Sequence, residues 1–302
     1  MTKSTPRTLL TFTAALGLFL SGCANPNPDA DISAPTGQSS GTNNVLRYAL
    51  WSNPNGIFNP ITYRTNYDQA INYAIYSRLV VRNKDREFVP ELAESYEYSE
   101  DGTTLTFKLR DGITWHDGEP FTADDVAFSY AAAADPGLPI DTPAFVQNLV
   151  GFEDYNSGKS DTLEGIKVID EHTISFTFQA PYLGALAYLA HKPVLAKHVW
   201  EGTPVSEWNN ATALLQNPIG TGPFKFKEFA SDQYVSLDAN PDYFKGAPKL
   251  DSLIFVVSNA ETAPINSILL KLGIVSEPVR WLSNVWTARG LVGLMNFLMW
   301  FG

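Results

Sequence analysis

The sequence has a single cysteine, few charged residues and fewer basic than acidic side chains. One cysteine among 302 residues excludes an internal disulfide framework and a zinc site built from cysteines. The net charge of −11 argues against nucleic acid as a partner, because a phosphate backbone favours clustered lysine and arginine. Charged residues make up 18% of the chain and apolar residues 44%, which indicates a globular protein with a sizeable core.

The N-terminal segment has the layout of a secretory signal peptide. Lys3 and Arg7 form a short positive region, and residues 9–20 form an apolar run that is too short to span a membrane comfortably. We therefore predict a signal peptide over residues 1–22.

The lone cysteine, Cys23, ends the sequence Leu20-Ser21-Gly22-Cys23. This sequence resembles the lipobox of bacterial lipoproteins, in which the cysteine becomes the new N-terminus and carries the lipid. A buried inert cysteine fits less well because its neighbours are small and polar, and nothing in the sequence suggests a base for a catalytic thiol. We predict lipid attachment at Cys23, followed by a flexible tether that is rich in proline, glycine and small polar residues and ends at residue 43.

From residue 45 onward the pattern predicts mixed α/β structure. Strands are predicted at residues 45–51, 103–109, 113–115, 173–178, from 224 and at 253–257. The last of these, LIFVV, is continuously apolar and is expected to be buried on both faces. Helices are predicted at residues 67–81, 183–190 and from Ala123, where Thr122 is the expected N-cap and Asp124 and Asp125 lie in the first turn.

Several polar motifs are better explained as turns than as catalytic or metal-binding sites. His116-Asp117 could form an acid–base pair, but a turn with its own side-chain hydrogen bonding is the stronger interpretation, and His172 is expected in a hairpin turn. His191 and His198 have the wrong spacing for a shared set of metal ligands, and no metal site is predicted.

Two further features are interpreted as structural. Gly220, Gly222 and Pro223 are expected to form a tight turn, since a strand rather than a helix follows them and a phosphate loop would lead into a helix. Trp115 is interpreted as a core aromatic residue rather than a platform for a ligand.

Four segments carry a resemblance to a known family. They are residues 90–130 (PELAESYEYSEDGTTLTFKLRDGITWHDGEPFTADDVAFSY), 166–181 (IKVIDEHTISFTFQAP), 218–229 (PIGTGPFKFKEF) and 240–255 (NPDYFKGAPKLDSLIF). Together they resemble the extracellular solute-binding proteins of family 5, which serve oligopeptide, dipeptide and nickel ABC transporters. The resemblance implies an α/β, periplasmic-binding-protein-like fold with two lobes that close on a ligand. It also implies delivery of that ligand to a membrane permease driven by ATPase subunits.

The resemblance also places a candidate ligand site. In peptide-binding members an extended ligand runs beside the segment that precedes the first helix, which corresponds here to residues 63–68. The implied ligand-binding residues are Arg64, Thr65, Asn66, Tyr67 and Asp68. Their backbone is expected to pair with a peptide, while Tyr67 supplies an apolar wall and Arg64 meets a carboxylate. An ordinary polar loop is the alternative.

The resemblance further implies a division of the chain. Residues 44–76 and 191–263 are expected to form a discontinuous first lobe and residues 77–190 an inserted subdomain. Residues 264–302, an apolar tail, match no part of the second lobe, and residues 265–286 within it weakly resemble a stretch of an ABC-transporter permease. The second main lobe is therefore expected to be missing.

The sequence therefore predicts a non-enzymatic, lipid-anchored protein of the cell envelope. We expect it to lie on the outer face of the cytoplasmic membrane or in the periplasm and to need no cofactor. Its expected partners are a peptide ligand and the permease and ATPase subunits. Nickel or another small solute, a lipoprotein that has lost binding, and a secreted hydrolase using Asp124 and Asp125 remain the alternatives.

Overall fold

A computed structural model describes residues 44–257 of the chain. The predicted signal peptide, Cys23, the predicted tether and the segment 264–302 lie outside the described residues. No helix within residues 44–257 has the length and apolar character needed to cross a membrane.

Residues 44–257 contain ten strands and seven α-helices. The strands β1 to β10 are Val45–Leu50, Val80–Arg82, Phe88–Pro90, Ala93–Tyr98, Thr104–Leu109, Ile166–Asp170, Thr173–Thr177, Phe224–Ala230, Tyr234–Ala239 and Ser252–Val257. The helices α1 to α7 are Asn66–Ile75, Ala123–Ala132, Ala144–Gln147, Phe152–Asn156, Ala185–Leu189, Lys197–Trp200 and Thr212–Leu215. A 3₁₀ helix covers Val205–Asn210.

One four-stranded sheet has the order β1-β10-β9-β8. β1 pairs in parallel with β10, with Tyr48 opposite Phe255, whereas β9 is antiparallel to both of its neighbours. The prediction that residues 253–257 are buried on both faces is wrong, because Phe255 alone is buried and the other positions are half-buried. The neighbouring strand β1 of the same sheet is also exposed along most of its length, so this part of the sheet is covered incompletely by the described residues.

A second four-stranded sheet, β4-β5-β7-β6, is antiparallel throughout. The strand predicted at residues 103–109 is confirmed as β5, and its alternating apolar side chains Leu105, Phe107 and Leu109 are all buried. β7 also presents an apolar face, and Phe107 contacts Phe176 edge to face at 6.0 Å between ring centroids. This sheet therefore holds the larger aromatic part of the core.

The first helix is shorter than the spacing of its apolar residues predicts. α1 ends at Ile75, and Tyr76 has an extended backbone with φ −114° and ψ 147°. Residues 76–79 of the predicted helix instead lead into β2, and residues 80 and 81 belong to that strand. The reason lies elsewhere in the chain: the amide of Gly222 donates to the Ile75 carbonyl at 2.8 Å, so a distant loop completes the end of α1.

The tight turn predicted at residues 220–223 is wrong, and the same contact with Ile75 explains why glycines lie there. The backbone there bends without a hydrogen-bonded turn, and neither glycine has a positive φ. A Cβ atom on Gly220 would lie 2.0 Å from the Ile75 carbonyl oxygen, and one on Gly222 would lie 2.5 Å from it. These glycines are therefore needed for the close approach of two backbones.

The predicted short strand at residues 113–115 is an isolated bridge between Thr114 and Pro120. A turn begins directly after it, with the Gly118 amide donating to the Trp115 carbonyl at 2.9 Å, so there is no length for a ladder. The interpretation of Trp115 as a core residue is confirmed, because its side chain is buried and contacts Phe121 edge to face.

The two sheets draw on different parts of the chain. The sheet that contains β1 uses strands from residues 45–50 and 224–257, and the sheet that contains β5 uses strands from residues 93–177. The division into a lobe of residues 44–76 and 191–263 and an insert of residues 77–190 stays a prediction.

Candidate functional site

The segment predicted to bind a ligand is fixed at the start of α1. Thr65 is the N-cap residue, and its hydroxyl oxygen accepts from the Asp68 amide at 3.1 Å and donates to the Asp68 carboxylate. The other oxygen of Asp68 accepts from the Gly56 amide at 3.2 Å. Asp68 is fully buried, and burial raises the pKa of its carboxyl group. Thr65 and Asp68 therefore hold the segment in place.

Arg64 reaches across to the loop that follows α2. Its Nη2 donates to the Pro139 carbonyl oxygen at 2.6 Å, and an open depression of about 490 Å³ is bounded by Arg64 and residues 138–141. The guanidinium group has five N–H donors, so one carbonyl contact leaves others for an anionic group.

The five predicted binding residues differ in what they present to solvent. Arg64 and Asn66 are exposed, Thr65 and Tyr67 are half-buried, and Asp68 is inside the fold. Asn66, Tyr67 and Asp68 form the first turn of α1, so extended backbone for pairing with a peptide is limited to the residues before them. Ligand contact at these five residues stays a prediction.

A polar and aromatic group beside this segment was not predicted from the sequence. We call it the tyrosine–lysine cluster and define it as Tyr63, Gln69, Tyr73 and Lys192. The Gln69 amide donates to both phenol oxygens, and the Tyr73 hydroxyl donates to the His191 carbonyl at 3.1 Å. Burial raises the pKa of Tyr63, and burial together with the neighbouring Tyr63 raises the pKa of Tyr73 to about 12.

Lys192 brings a positive charge into this cluster. Its Nζ lies 4.4 Å from the centroid of the Tyr63 ring and 3.4 Å from the Ile61 carbonyl oxygen. Burial lowers the pKa of its ammonium group to about 8. The sequence did contain a signal for this partly buried lysine. Lys192 lies between the apolar segments ALAYLA and PVLA, and burial of these segments also buries part of the lysine.

His116 occupies a structural position. Its Nδ1 accepts from the Gly220 amide at 3.3 Å and its Nε2 donates to the Gly222 carbonyl at 3.0 Å, which fixes a neutral ring. Burial lowers its pKa to about 4. The turn predicted at His116-Asp117 is confirmed, and Asp117 accepts from the amide of Glu119 at 3.3 Å and contacts His198 at 2.8 Å.

The carboxylates considered for hydrolysis are placed at the start of α2, as predicted. Asp125 is buried and accepts from the Thr122 amide at 2.9 Å, the Lys197 amide at 2.8 Å and the Trp115 indole at 3.3 Å. Asp124 is exposed and lies 3.6 Å from the Lys197 ammonium. Because the Thr122 and Lys197 amides lie at the two helix starts, Asp125 has a structural role that links α2 to α6.

The remaining histidines are dispersed. His172 lies in the hairpin between β6 and β7, as predicted, and its amide donates to Asp170 at 2.9 Å. His191 is exposed beside Tyr73, away from His198 at Asp117. Within residues 44–257 no three histidine, cysteine or acidic side chains are grouped so that they could hold a metal ion.

Comparison with known proteins identifies the class to which this arrangement belongs. Residues 87–274, more than half of the chain, match the family model described as bacterial extracellular solute-binding proteins, family 5 Middle. The match therefore includes residues 264–274, for which the sequence alone showed no resemblance.

Individual relatives agree with the family match. The oligopeptide-binding protein AppA of Bacillus subtilis is 28% identical over 275 residues, which are 88% of this chain and 47% of AppA. Its structure in complex with a nonapeptide superposes with a TM-score of 0.63 at 26% identity, over 76% of this chain and 43% of that one. The dipeptide-binding protein of Escherichia coli is 33% identical over 233 residues, 71% of this chain and 41% of the relative.

A nickel-related neighbour is also similar. NikZ of Campylobacter jejuni, solved in complex with Ni(L-His), superposes with a TM-score of 0.57 at 29% identity, over 77% of this chain and 42% of that one.

The chain belongs to the family 5 bacterial extracellular solute-binding proteins and has their α/β, periplasmic-binding-protein-like fold. It spans less than half the length of the relatives named above.

Proposed function

We propose that this protein is the substrate-binding component of an ABC transporter for peptide uptake. It binds extended oligopeptides and delivers them to a membrane permease driven by ATPase subunits. The observation that carries the proposal is membership of family 5 together with relatives named oligopeptide- and dipeptide-binding proteins. Its role is binding without chemical conversion of the ligand.

The start of α1 is the proposed contact region for the peptide. Arg64 offers guanidinium donors to a carboxylate, Tyr67 offers a half-exposed ring, and Asn66 an exposed amide. Thr65 and Asp68 contribute by holding the helix N-terminus in position. Backbone groups that precede α1 pair with the ligand backbone, which gives an affinity tolerant of ligand sequence.

We propose attachment to a membrane through a lipid on Cys23, on the outer face of the cytoplasmic membrane or in the periplasm. The arrangement of residues 1–23 supports this location. Radiolabelled palmitate should be incorporated by the wild-type protein and not by a Cys23→Ala variant, and the variant should partition into the soluble fraction. Equal membrane association of the variant, with no label on the wild type, contradicts the proposal.

The ligand class is tested by thermal unfolding in the presence of candidate ligands. A ligand that binds the native state raises the melting temperature by mass action, with about 2.7 kcal/mol of stabilisation at 100 times its Kd. A pool of short peptides should raise the melting temperature of this protein, and an equimolar pool of free amino acids is the control.

The outcomes separate the alternatives. A shift with a nickel–histidine complex and none with peptides favours the nickel function suggested by the similarity to NikZ. Folded protein that responds to no ligand favours a lipoprotein without binding activity. Cleavage of the peptides in the same samples favours the hydrolase.

A further inference from the structure

Lys192 is a cation without a carboxylate partner in the described part of the chain. The ion pairs of residues 44–257 do not include it, and the one hydrogen bond of its ammonium group there is the 3.4 Å contact with the Ile61 carbonyl. An ammonium group has three N–H donors, so this single contact leaves its capacity largely unused. The Tyr63 ring at 4.4 Å covers one side of the charge.

This arrangement has an energetic cost that the contacts of the ammonium group with Tyr63 and Ile61 offset only in part. A charge that is removed from water without a partner is unfavourable, and the lowered pKa of Lys192 has burial as its cause. Glu91 shows the contrast, since its carboxylate contacts Arg78 at 3.3 Å and Lys245 at 3.2 Å. Strongly perturbed and incompletely paired charges are concentrated at functional sites.

The surroundings of Lys192 suit an anion. Arg78 lies over the Tyr73 ring at 4.5 Å, so each tyrosine of the tyrosine–lysine cluster carries a cation on its face. Gln69 and Tyr73 lie one helical turn apart on α1, away from the side that carries its buried residues. Arg78 is paired with Glu91, so in a chain with a net charge of −11 Lys192 is the positive charge beside Tyr63 that no described carboxylate offsets.

We propose that Lys192, beside Tyr63, is a binding residue that receives a carboxylate group of the peptide ligand. A peptide lying along residues 63–68 passes Tyr63, and the ammonium on the face of that ring is then within reach of an anionic group. The carboxylate belongs to an acidic side chain or to the peptide C-terminus. The inference rests on the proposed peptide-binding function and adds a preference for acidic ligands.

Three tripeptides distinguish the sources of the carboxylate in titration calorimetry. Ala-Gln-Ala amide has no carboxylate, Ala-Glu-Ala amide has one on its side chain, and Ala-Gln-Ala with a free C-terminus has one at its end. A hydrogen bond to a charged group corresponds to about tenfold or more in affinity. We expect wild-type protein to bind one of the two carboxylate peptides about tenfold more tightly than the amide control.

A Lys192→Met variant keeps the apolar stem of the side chain and should lose that tenfold preference. The matched control is Lys84→Met, which removes the same charge from a side chain that is 90% exposed. Lys84→Met should keep the preference. A wild type that does not discriminate between the peptides, or a Lys192→Met variant that still does, overturns the proposal and leaves peptide binding intact. Failure of all three tripeptides to bind overturns the proposal, and if longer oligopeptides also fail to bind, the peptide-binding function is overturned as well.

A second measurement uses the wild-type protein alone and is independent of the folding of any variant. Acetylation of individual lysines by an amine-reactive reagent is followed by peptide mapping, with and without the tripeptides. The preferred carboxylate peptide should reduce acetylation of Lys192 several-fold and leave Lys84 unchanged. Equal acetylation of Lys192 with the preferred peptide and with the amide control contradicts the proposal.

Discussion

At the scale of single residues, Glu91 shows how the fold keeps a buried carboxylate. It accepts from the Arg78 amide at 2.9 Å, and its oxygens also contact the side chains of Arg78 and Lys245. Lys245 lies in the segment between β9 and β10, so this contact joins the residue after β3 to a distant part of the chain.

The Glu91→Gln substitution should lower the free energy of unfolding by about 1–3 kcal/mol, because it leaves the partly buried Arg78 and the exposed Lys245 without their counter-charge. Glu94→Gln is the matched control, since Glu94 and Lys108 form an exposed pair with side chains 56% and 65% exposed. The control should change stability by less than about 0.5 kcal/mol. Chemical denaturation measures the free energy of unfolding of both variants. Equal losses in the two variants would contradict the stabilising role of the buried Glu91 carboxylate.

His116 is the residue whose protonation is most directly linked to folding. Its pKa of about 4 in the folded protein lies below the ordinary value of 6.5, because burial disfavours the charged ring. Between these two values the unfolded chain binds more protons than the folded one. The stability contributed by the neutral ring is therefore present above pH 6.5 and is lost as the pH falls towards 4.

We expect the stability difference between wild type and His116→Asn to shrink by about 2–3 kcal/mol between pH 7 and pH 4. Other titrating groups are common to both proteins and cancel in the comparison. Urea denaturation at several pH values provides the measurement. A difference that stays constant with pH shows that His116 is not held neutral by the fold.

At the scale of elements, the end of α1 depends on the loop at residues 220–222. Alanine at Gly220 would place its Cβ atom 2.0 Å from the Ile75 carbonyl oxygen, and a backbone atom cannot move aside easily. Gly220→Ala should cost about 3 kcal/mol, which corresponds to a fall of roughly 6–12 °C in melting temperature. Gly202→Ala, with nothing within 4 Å of its Cβ position, should leave the melting temperature nearly unchanged. Similar melting temperatures for the two variants would refute this account of α1.

The success of prediction from sequence also differs between elements. β5 follows the period of two because one face of the strand packs on the core, whereas in β7 Ser175 is buried together with Ile174 and Phe176 on either side of it. The end of α1 could not be predicted, because Gly222 is distant in sequence and supplies the bond at Ile75.

The candidate site was only partly predictable for the same reason. The resemblance marked residues 64–68, but the meeting of Tyr63 with Lys192 depends on tertiary packing between separate segments of the chain. Local periodicity carries no information about such a contact.

At the scale of the whole molecule, residues 44–257 form two four-stranded sheets and a two-stranded one, together with α1 and six shorter or equal helices. The sheet β1-β10-β9-β8 and the larger aromatic core are built from different parts of the chain. Hydrogen bonds between His116 and the loop at residues 220–222 connect these parts. This fold positions Arg64 and Tyr67, and the tyrosine–lysine cluster adds a positive charge beside them. These features support a binding role in the family to which the chain belongs.

Peptide capture is the central claim, and equilibrium dialysis of the chain against a fluorescent oligopeptide tests it most directly. The account predicts saturable binding that unlabelled oligopeptides compete away and free amino acids do not. Circular dichroism of the same sample establishes that the protein is folded. Folded protein that retains no oligopeptide above the level of a serum albumin control would contradict the account.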